Sequence, residues 1–246
     1  MKMKATYTVN SHDVDYNGIV NAAAIVKYMQ ETANLQHAAY GPTIDELRAG
    51  GHAFVLSRAS LDLYAPVRAL ETITVETWFT EAKGFGYHRN TVMTRGTERV
   101  AAMVSFWGMI DIATRRPIRV EEIALGFGPD DEALTIGAPP RARAPRELTL
   151  MPLGKRTVVY SDCDENGHMN NTRYPGMFCD FLPTMAGRRV TGVSINYASE
   201  ARLGSSFTVF GGEEDGGAVW WFRTELENGQ TGTEARIALA PIEAKA

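Results

Sequence analysis

The chain has almost no cysteine: Cys163 and Cys179 are the only two in 246 residues. Two thiols cannot build a disulfide scaffold, and such sparse use fits a reducing compartment. Positive charge is not in excess either. Lys and Arg number 25 against 29 Asp and Glu, a formal net charge of −4, which argues against bulk binding of nucleic acid or adsorption on an anionic membrane. No apolar run approaches the roughly 20 residues that span a bilayer, and the N-terminal MKMKATYTVN has no apolar signal core. His12, His37, His52, His88 and His168 show no acidic or cysteine pattern at metal-ligand spacing, so no metal is expected. These absences describe a cytoplasmic protein whose attraction to any acidic partner must be local.

What the sequence does contain is a repeat. Tyr7–Asn21 reads YTVNSHDVDYNGIVN and Arg156–Asn170 reads RTVVYSDCDENGHMN. Thr8, Val9, Asp13, Asp15, Asn17, Gly18 and Asn21 recur in order as Thr157, Val158, Asp162, Asp164, Asn166, Gly167 and Asn170, whereas Ile19 becomes His168. The chain is therefore two related halves, of which only the second carries the imidazole.

Each half has the same element order. An alternating segment near Lys4–Val9 is followed by a turn at Asp15–Gly18 and a helical pattern in which Ile25, Tyr28, Met29, Thr32 and Leu35 share a face until Gly41-Pro42 stops it. Thr43 and Glu46 have the spacing of a capping box for a short second helix. Strand patterns then cover Ala53–Tyr64, Glu71–Ala82, Tyr87–Arg95 and Glu98–Asp111. In the second half a strand at Leu153–Tyr160 precedes a helix expected to align Tyr174, Met177, Phe178, Phe181, Leu182 and Met185, with Pro175 tolerated in its first turn. Four more strands are expected near Val190–Ser199, Ser206–Gly211, Ala218–Glu225 and Thr231–Ala240. Between the halves, Pro117–Leu150 carries Pro117, Pro129, Pro139, Pro140 and Pro145 without periodicity, the pattern of a connector laid over the surface. A one-faced helix followed by an antiparallel meander is best buried by wrapping the sheet around the helix, and pairing two such units edge to edge covers their open strands. The expected class is α+β: two helix-in-antiparallel-sheet domains sharing one sheet, at residues 1–116 and 151–246, with the connector at 117–150.

The chemistry is concentrated at Asp164-Glu165-Asn166-Gly167-His168, which sets an acid, an amide and an imidazole at a turn before a helix. His168 suits acid–base work near neutral pH and Asn166 can polarise a carbonyl or orient water, while the free N–H groups of the helix N-terminus could hold an oxyanion. Asp and Asn before a helix are more often caps, and a lone histidine is more often structural. The repeat shifts that balance, because Ile19 shows that the turn can be built without an imidazole. Downstream, SINYASEARL places Glu200 at the end of a strand where its carboxylate could face the same site, and the first half has Pro66 near the equivalent place. Cys163 stands between two aspartates, which disfavour a thiolate, and Cys179 lies among apolar helix positions.

Together the segments YMQETANLQH (28–37), ITVETW (73–78), SFWGMIDIATRRPIR (105–119), SDCDENGHMNNTRY (161–174) and INYASEA (195–201) resemble the acyl-ACP thioesterase family, over nearly all of 7–237. The resemblance implies a double hotdog fold and release of free fatty acid from acyl carrier protein in fatty acid biosynthesis, with no cofactor. It maps the catalytic residues onto Asp164, Asn166, His168 and Glu200. Where plant members often have cysteine after the glutamate, this chain has Ala201. The resemblance thus implies hydrolysis by activated water or through a transient carboxylate adduct, with Glu200 and His168 as the acid–base groups. The first half is expected to hold the acyl chain, with Ala24, Ile25 and Met29 facing the lumen. Two basic clusters are candidates for docking the acidic carrier: Arg115, Arg116 and Arg119, and Arg141, Arg143, Arg146, Lys155 and Arg156. Rival expectations are an acyl-CoA thioesterase of hotdog type and a catalytically silent acyl-binding module. The hydratase pattern Asp-x-Asn-Pro-x-His fails on spacing, since His168 follows Asn166 by two positions. Chain length, and assembly beyond the intramolecular pair such as a homodimer, are not fixed by the sequence.

Overall fold

The computed structural model describes residues 1–80, 84–120, 125–130 and 132–242. Its strands form one ten-stranded sheet in the order β1-β3-β4-β5-β2-β7-β10-β9-β8-β6. The first half supplies β1 (Met3–Thr8), β2 (His52–Leu63), β3 (Thr72–Phe79), β4 (Gly86–Arg95) and β5 (Glu98–Asp111). The second supplies β6 (Met151–Thr157), β7 (Arg188–Tyr197), β8 (Ser206–Glu214), β9 (Val219–Leu226) and β10 (Thr231–Pro241). The halves join edge to edge through antiparallel β2 and β7, where Arg58 to Asp62 pair with Asn196 to Gly192. Each half thereby covers the other's open edge, as the pairing argument expects. Glu81 and Ala82, at the end of the expected third strand, lie outside the described residues, as do 121–124 and 131 of the connector and 243–246 at the C-terminus.

Helix α1 (Ala22–Tyr40) begins where Asn21 Oδ1 accepts Ala24 N–H at 2.9 Å and ends at Gly41, whose φ of 63° breaks the helix. Ile25, Tyr28, Met29 and Thr32 are buried on it, but Leu35 is 36% exposed and does not belong to the inner face. Helix α2 (Ile44–Ala49) has the expected Thr43–Glu46 capping box.

The second helix departs from expectation. It is only α3 (Tyr174–Cys179), entered through a 3₁₀ turn at Asn171–Arg173. Pro183 disfavours helical geometry at Leu182 and cannot donate to a preceding turn, so the periodic run Phe181, Leu182, Met185 is not helical. Those three side chains still pack on the core, from irregular backbone.

Because α3 is short, α1 dominates the concave side of the sheet. Val26, Met29, Gln30 and Ala33 face a floor made by both halves: Ala59 and Leu61 of β2, Met103 of β5, and Val193 and Ile195 of β7. On the other side the connector is strapped to the sheet by two asparagines. Asn196 donates to Ala142 O and accepts Ala142 N–H, both at 3.1 Å, and Asn90 Oδ1 accepts Thr135 N–H at 3.0 Å.

Candidate active site

The two related turns fold alike. Asp15 Oδ1 accepts Asn17 N–H at 2.8 Å in the first half, and Asp164 Oδ1 accepts Asn166 N–H at 2.8 Å in the second. Gly18 and Gly167 follow at φ 73° and 72°, a conformation that glycine adopts without the Cβ clash. The turns then close by Asp15 N–H to Ile19 O at 2.8 Å and Asp164 N–H to His168 O at 3.0 Å. A hydrogen bond from Val20 N–H to Val67 O, and its counterpart from Met169 N–H to Ala201 O, both 2.8 Å, tie each turn to the segment after a strand. That register sets Pro66 and Glu200 at equivalent places, as the sequence comparison does.

In the second half this scaffold brings Asp164, Asn166, His168 and Glu200 around one cleft of about 480 Å³. His168 Nε2 lies 3.3 Å from Glu200 Oε2, with the imidazole 19% and the carboxylate 38% exposed. The wall opposite comes from the first half: Phe54, Val55 and Leu56 of β2, Ile110 of β5 and Arg115. Arg115 Nη2 donates to the same Glu200 Oε2 at 2.7 Å. Arg48 of α2 crosses from the first half as well, donating from Nη2 to Asn166 Oδ1 at 3.1 Å and to Glu165 Oε1 at 2.5 Å. That hydrogen bond from Arg48 holds the Glu165 carboxyl below its ordinary pKa. With its oxygen engaged, Asn166 keeps its Nδ2 hydrogens as the donors left for a ligand.

Sequence reasoning missed both arginines. Arg115, which the sequence sets with Arg116 and Arg119 as carrier-docking charge, is bonded to Glu200; Arg156, in the other cluster, is paired at 2.6 Å with buried Asp162. No local motif distinguishes an arginine that reaches across halves from its neighbours. At the helix N-terminus expected to hold an oxyanion, one N–H is already taken: Asn170 Oδ1 accepts Thr172 N–H at 2.9 Å and the Thr172 hydroxyl at 2.8 Å.

The expected lumen residues do not share one lumen. Met29 lines the space between α1 and the sheet, Ile25 lines a separate cavity of about 520 Å³ beside the silent turn, and Ala24 is buried in the core and lines neither. The unfilled space at Met29 is about 30 Å³ and is bordered by adaptable side chains such as Met29 and Met103.

The thiolate form is disfavoured at both cysteines. The Cys163 thiol is held above its ordinary pKa by desolvation and by Asp162 and Asp164, and burial pushes Cys179 up to about 12. Among the described residues no group of three His, Cys, Asp or Glu side chains is arranged to hold a metal ion, and no helix is long and apolar enough to cross a membrane.

The two halves match, separately and in order, the models of the acyl-ACP thioesterase N-terminal domain over residues 1–125 and C-terminal domain over 153–240. The chain belongs to the acyl-ACP thioesterase family. Among its relatives is the chloroplastic dodecanoyl-[acyl-carrier-protein] hydrolase of Cinnamomum camphora, 24% identical over 97% of this chain and 67% of that protein. The oleoyl-acyl carrier protein thioesterase 2 of Arabidopsis thaliana is 23% identical over 73% of this chain and 54% of its own. Solved structures share the fold of this thioesterase along its whole length. An acyl-ACP thioesterase from Bacteroides thetaiotaomicron superposes with a TM-score of 0.87 at 21% identity, covering 97% of this chain and 98% of that one. The 12:0-ACP thioesterase from Umbellularia californica gives 0.79 at 17% identity, covering 98% of each. The chain is thus a double hotdog of the α+β class and a thioester hydrolase.

Proposed function

We propose that this thioesterase releases free fatty acid from acyl carrier protein by water attack at the cleft of Asp164, Asn166, His168 and Glu200. The observation that carries the assignment is the 3.3 Å contact between His168 Nε2 and Glu200 Oε2, on a scaffold whose silent copy has Ile19 and Pro66 in their places. Asp164 builds its turn as Asp15 builds the other half's, so its role is to position Asn166. Asn166 Nδ2 then meets the thioester carbonyl oxygen. Glu200 Oε2 is occupied by His168 and Arg115, which leaves Oε1 to take a proton from water as that water's oxygen bonds to the carbonyl carbon. The proton that Glu200 takes up passes to His168 across their 3.3 Å contact, and as collapse of the adduct breaks the carbon–sulfur bond His168 delivers it to the departing thiolate, which leaves both groups as they began. A route through a Glu200 acyl anhydride uses the same groups.

Along α1, Ala24, Ile25 and Met29 are the proposed acyl-chain residues, with Met29 best supported because it alone faces the space under the helix. The carrier is acyl carrier protein and the location cytoplasmic, in keeping with two free thiols. Hydrolysis measured over a chain-length series presented on both acyl carrier protein and coenzyme A tests the assignment. Faster turnover on the protein carrier is expected; equal or faster turnover of the coenzyme A esters points to an acyl-CoA thioesterase.

A further inference from the structure

Arg89 of β4 is 3% exposed, in a half of the chain that carries no catalytic group. Its Nη1 donates to Gln36 Oε1 at 2.6 Å and to Thr77 Oγ1 at 3.3 Å, and its guanidinium carbon lies about 6 Å from the rings of Phe79 and Tyr87. Its Nη2 is buried with no hydrogen-bond partner, and among the described residues no carboxylate pairs with it. Its titratable neighbours are Tyr87, whose buried phenol has its pKa raised by desolvation against the opposing effect of Arg89, and His37, whose pKa is lowered to about 4 by burial and by Arg89 itself. A buried guanidinium without an anion is costly, so an anionic group that reached it would relieve that cost.

The cavities supply the path for such a ligand. Arg89 lines both the apolar space under α1 and a cavity of about 470 Å³ that shares Phe54, Leu56, Asp164, Asn166 and Asn171 with the catalytic cleft. That larger cavity has mixed walls, with Gln30, Asn34 and His37 beside Leu47 and Trp107. An all-methylene chain laid there strips water from these groups and returns nothing. Distance fixes where an acceptor must sit on the chain. Arg89 pairs with Ser105, Ser105 with Ala59, and Ala59 with Ile195; three interstrand steps of about 4.8 Å put Arg89 roughly 14 Å from β7, the strand that leads to Glu200. Arg89 is also absent from the lining of the cleft that holds His168 and Glu200, so an acceptor that meets it sits on the acyl chain beyond the thioester.

We infer that this enzyme takes acyl chains bearing a carboxylate at the end distal to the thioester, and that Arg89 is the residue that receives it. The inference rests on thioester hydrolysis at His168 and Glu200 and adds the class of acyl group.

The test is a matched series of acyl-ACP substrates of equal length ending in methyl or in carboxylate, assayed with the wild type, Arg89→Met and Arg89→Lys. The wild type is expected to favour the carboxylate-ended chain at one or more lengths. Arg89→Met should lower its kcat/KM by about 10- to 100-fold, the worth of a charge-assisted hydrogen bond, while leaving the methyl-ended chain within a few-fold. Arg89→Lys should recover part of the loss. In the wild type alone, the free dicarboxylate should raise the melting temperature more than the monocarboxylate of equal length, a readout independent of turnover and of the variants' folding. A wild type that favours methyl ends at every length, and is no better stabilised by the dicarboxylate, overturns the inference while the thioesterase assignment stands. Equal losses on both chains in Arg89→Met also overturn it, since they assign Arg89 to the carrier's arm or to folding. Failure to cleave any thioester refutes the assignment on which it rests.

Discussion

Replacing His168 by isoleucine installs the residue that the silent half already uses at the equivalent place, so the variant separates chemistry from architecture. The turn's closing hydrogen bond uses the backbone carbonyl of residue 168, at 3.0 Å from Asp164 N, and its counterpart at Ile19 is 2.8 Å. What the substitution removes is the contact with Glu200, between a ring 19% exposed and a carboxylate 38% exposed. Pairs this accessible contribute about 0–1 kcal/mol, so the melting temperature should fall by no more than about 4 °C, given roughly 2–4 °C per kcal/mol for a chain of this size. The rate should fall far more. A positioned acid–base group is worth about 10²- to 10⁴-fold, or roughly 2.7–5.4 kcal/mol of barrier at about 1.36 kcal/mol per tenfold. The assay is release of free fatty acid from acyl-ACP beside a thermal melt of the same preparation. Glu200→Gln should lose a comparable factor, and the double variant should lose little more than either single one, because two members of one proton relay are not additive. A His168→Ile protein that folds and turns over normally refutes the proposed chemistry. A protein whose melt collapses assigns the histidine to structure.

Three further outcomes follow from particular groups. Met29→Trp should shorten the preferred acyl chain, each excluded methylene changing relative kcat/KM by about fourfold at 0.8 kcal/mol; an equal shift from Ile25→Trp, with none from Met29→Trp, would place the chain beside the silent turn instead. His37, with its pKa lowered to about 4 by burial and then by Arg89, binds fewer protons folded than unfolded, so its stabilising contribution is present above about pH 6.5 and is lost as pH falls toward 4. That loss amounts to up to about 3 kcal/mol, and His37→Gln should flatten the fall of melting temperature across this window. Charge reversal at Arg141, Arg143 and Arg146, which are exposed and absent from the ion pairs among the described residues, should weaken acyl-ACP turnover and its salt dependence while sparing acyl-CoA; an unchanged salt response excludes that surface as the dock.

Local chemistry explains why so much of this fold is legible in the sequence. Strands alternate, Gly41-Pro42 cannot continue α1, and Thr43 with Glu46 can cap nothing but a helix start, so each of these elements is dictated by residues within a turn or two of it. The second helix shows the limit of periodicity. Phe181, Leu182 and Met185 have helical spacing because they all face the core, but a core-facing pattern can also be met by irregular backbone, and Pro183 decides in favour of that. The site divides along the same line. Asp164 and Asn166 are read from the turn they build, and His168 and Glu200 from their absence in the silent copy, because a repeat supplies its own control. Arg48, Arg89 and Arg115 leave no such trace: each acts across the join of the halves or beneath α1, through contacts that exist only after β2 has paired with β7 and the helix has closed over the sheet. The first half, with Ile19 and Pro66 where the second has His168 and Glu200, supplies the arginines that bond Asn166 and Glu200, together with Phe54, Val55, Leu56 and Ile110 of the cleft wall.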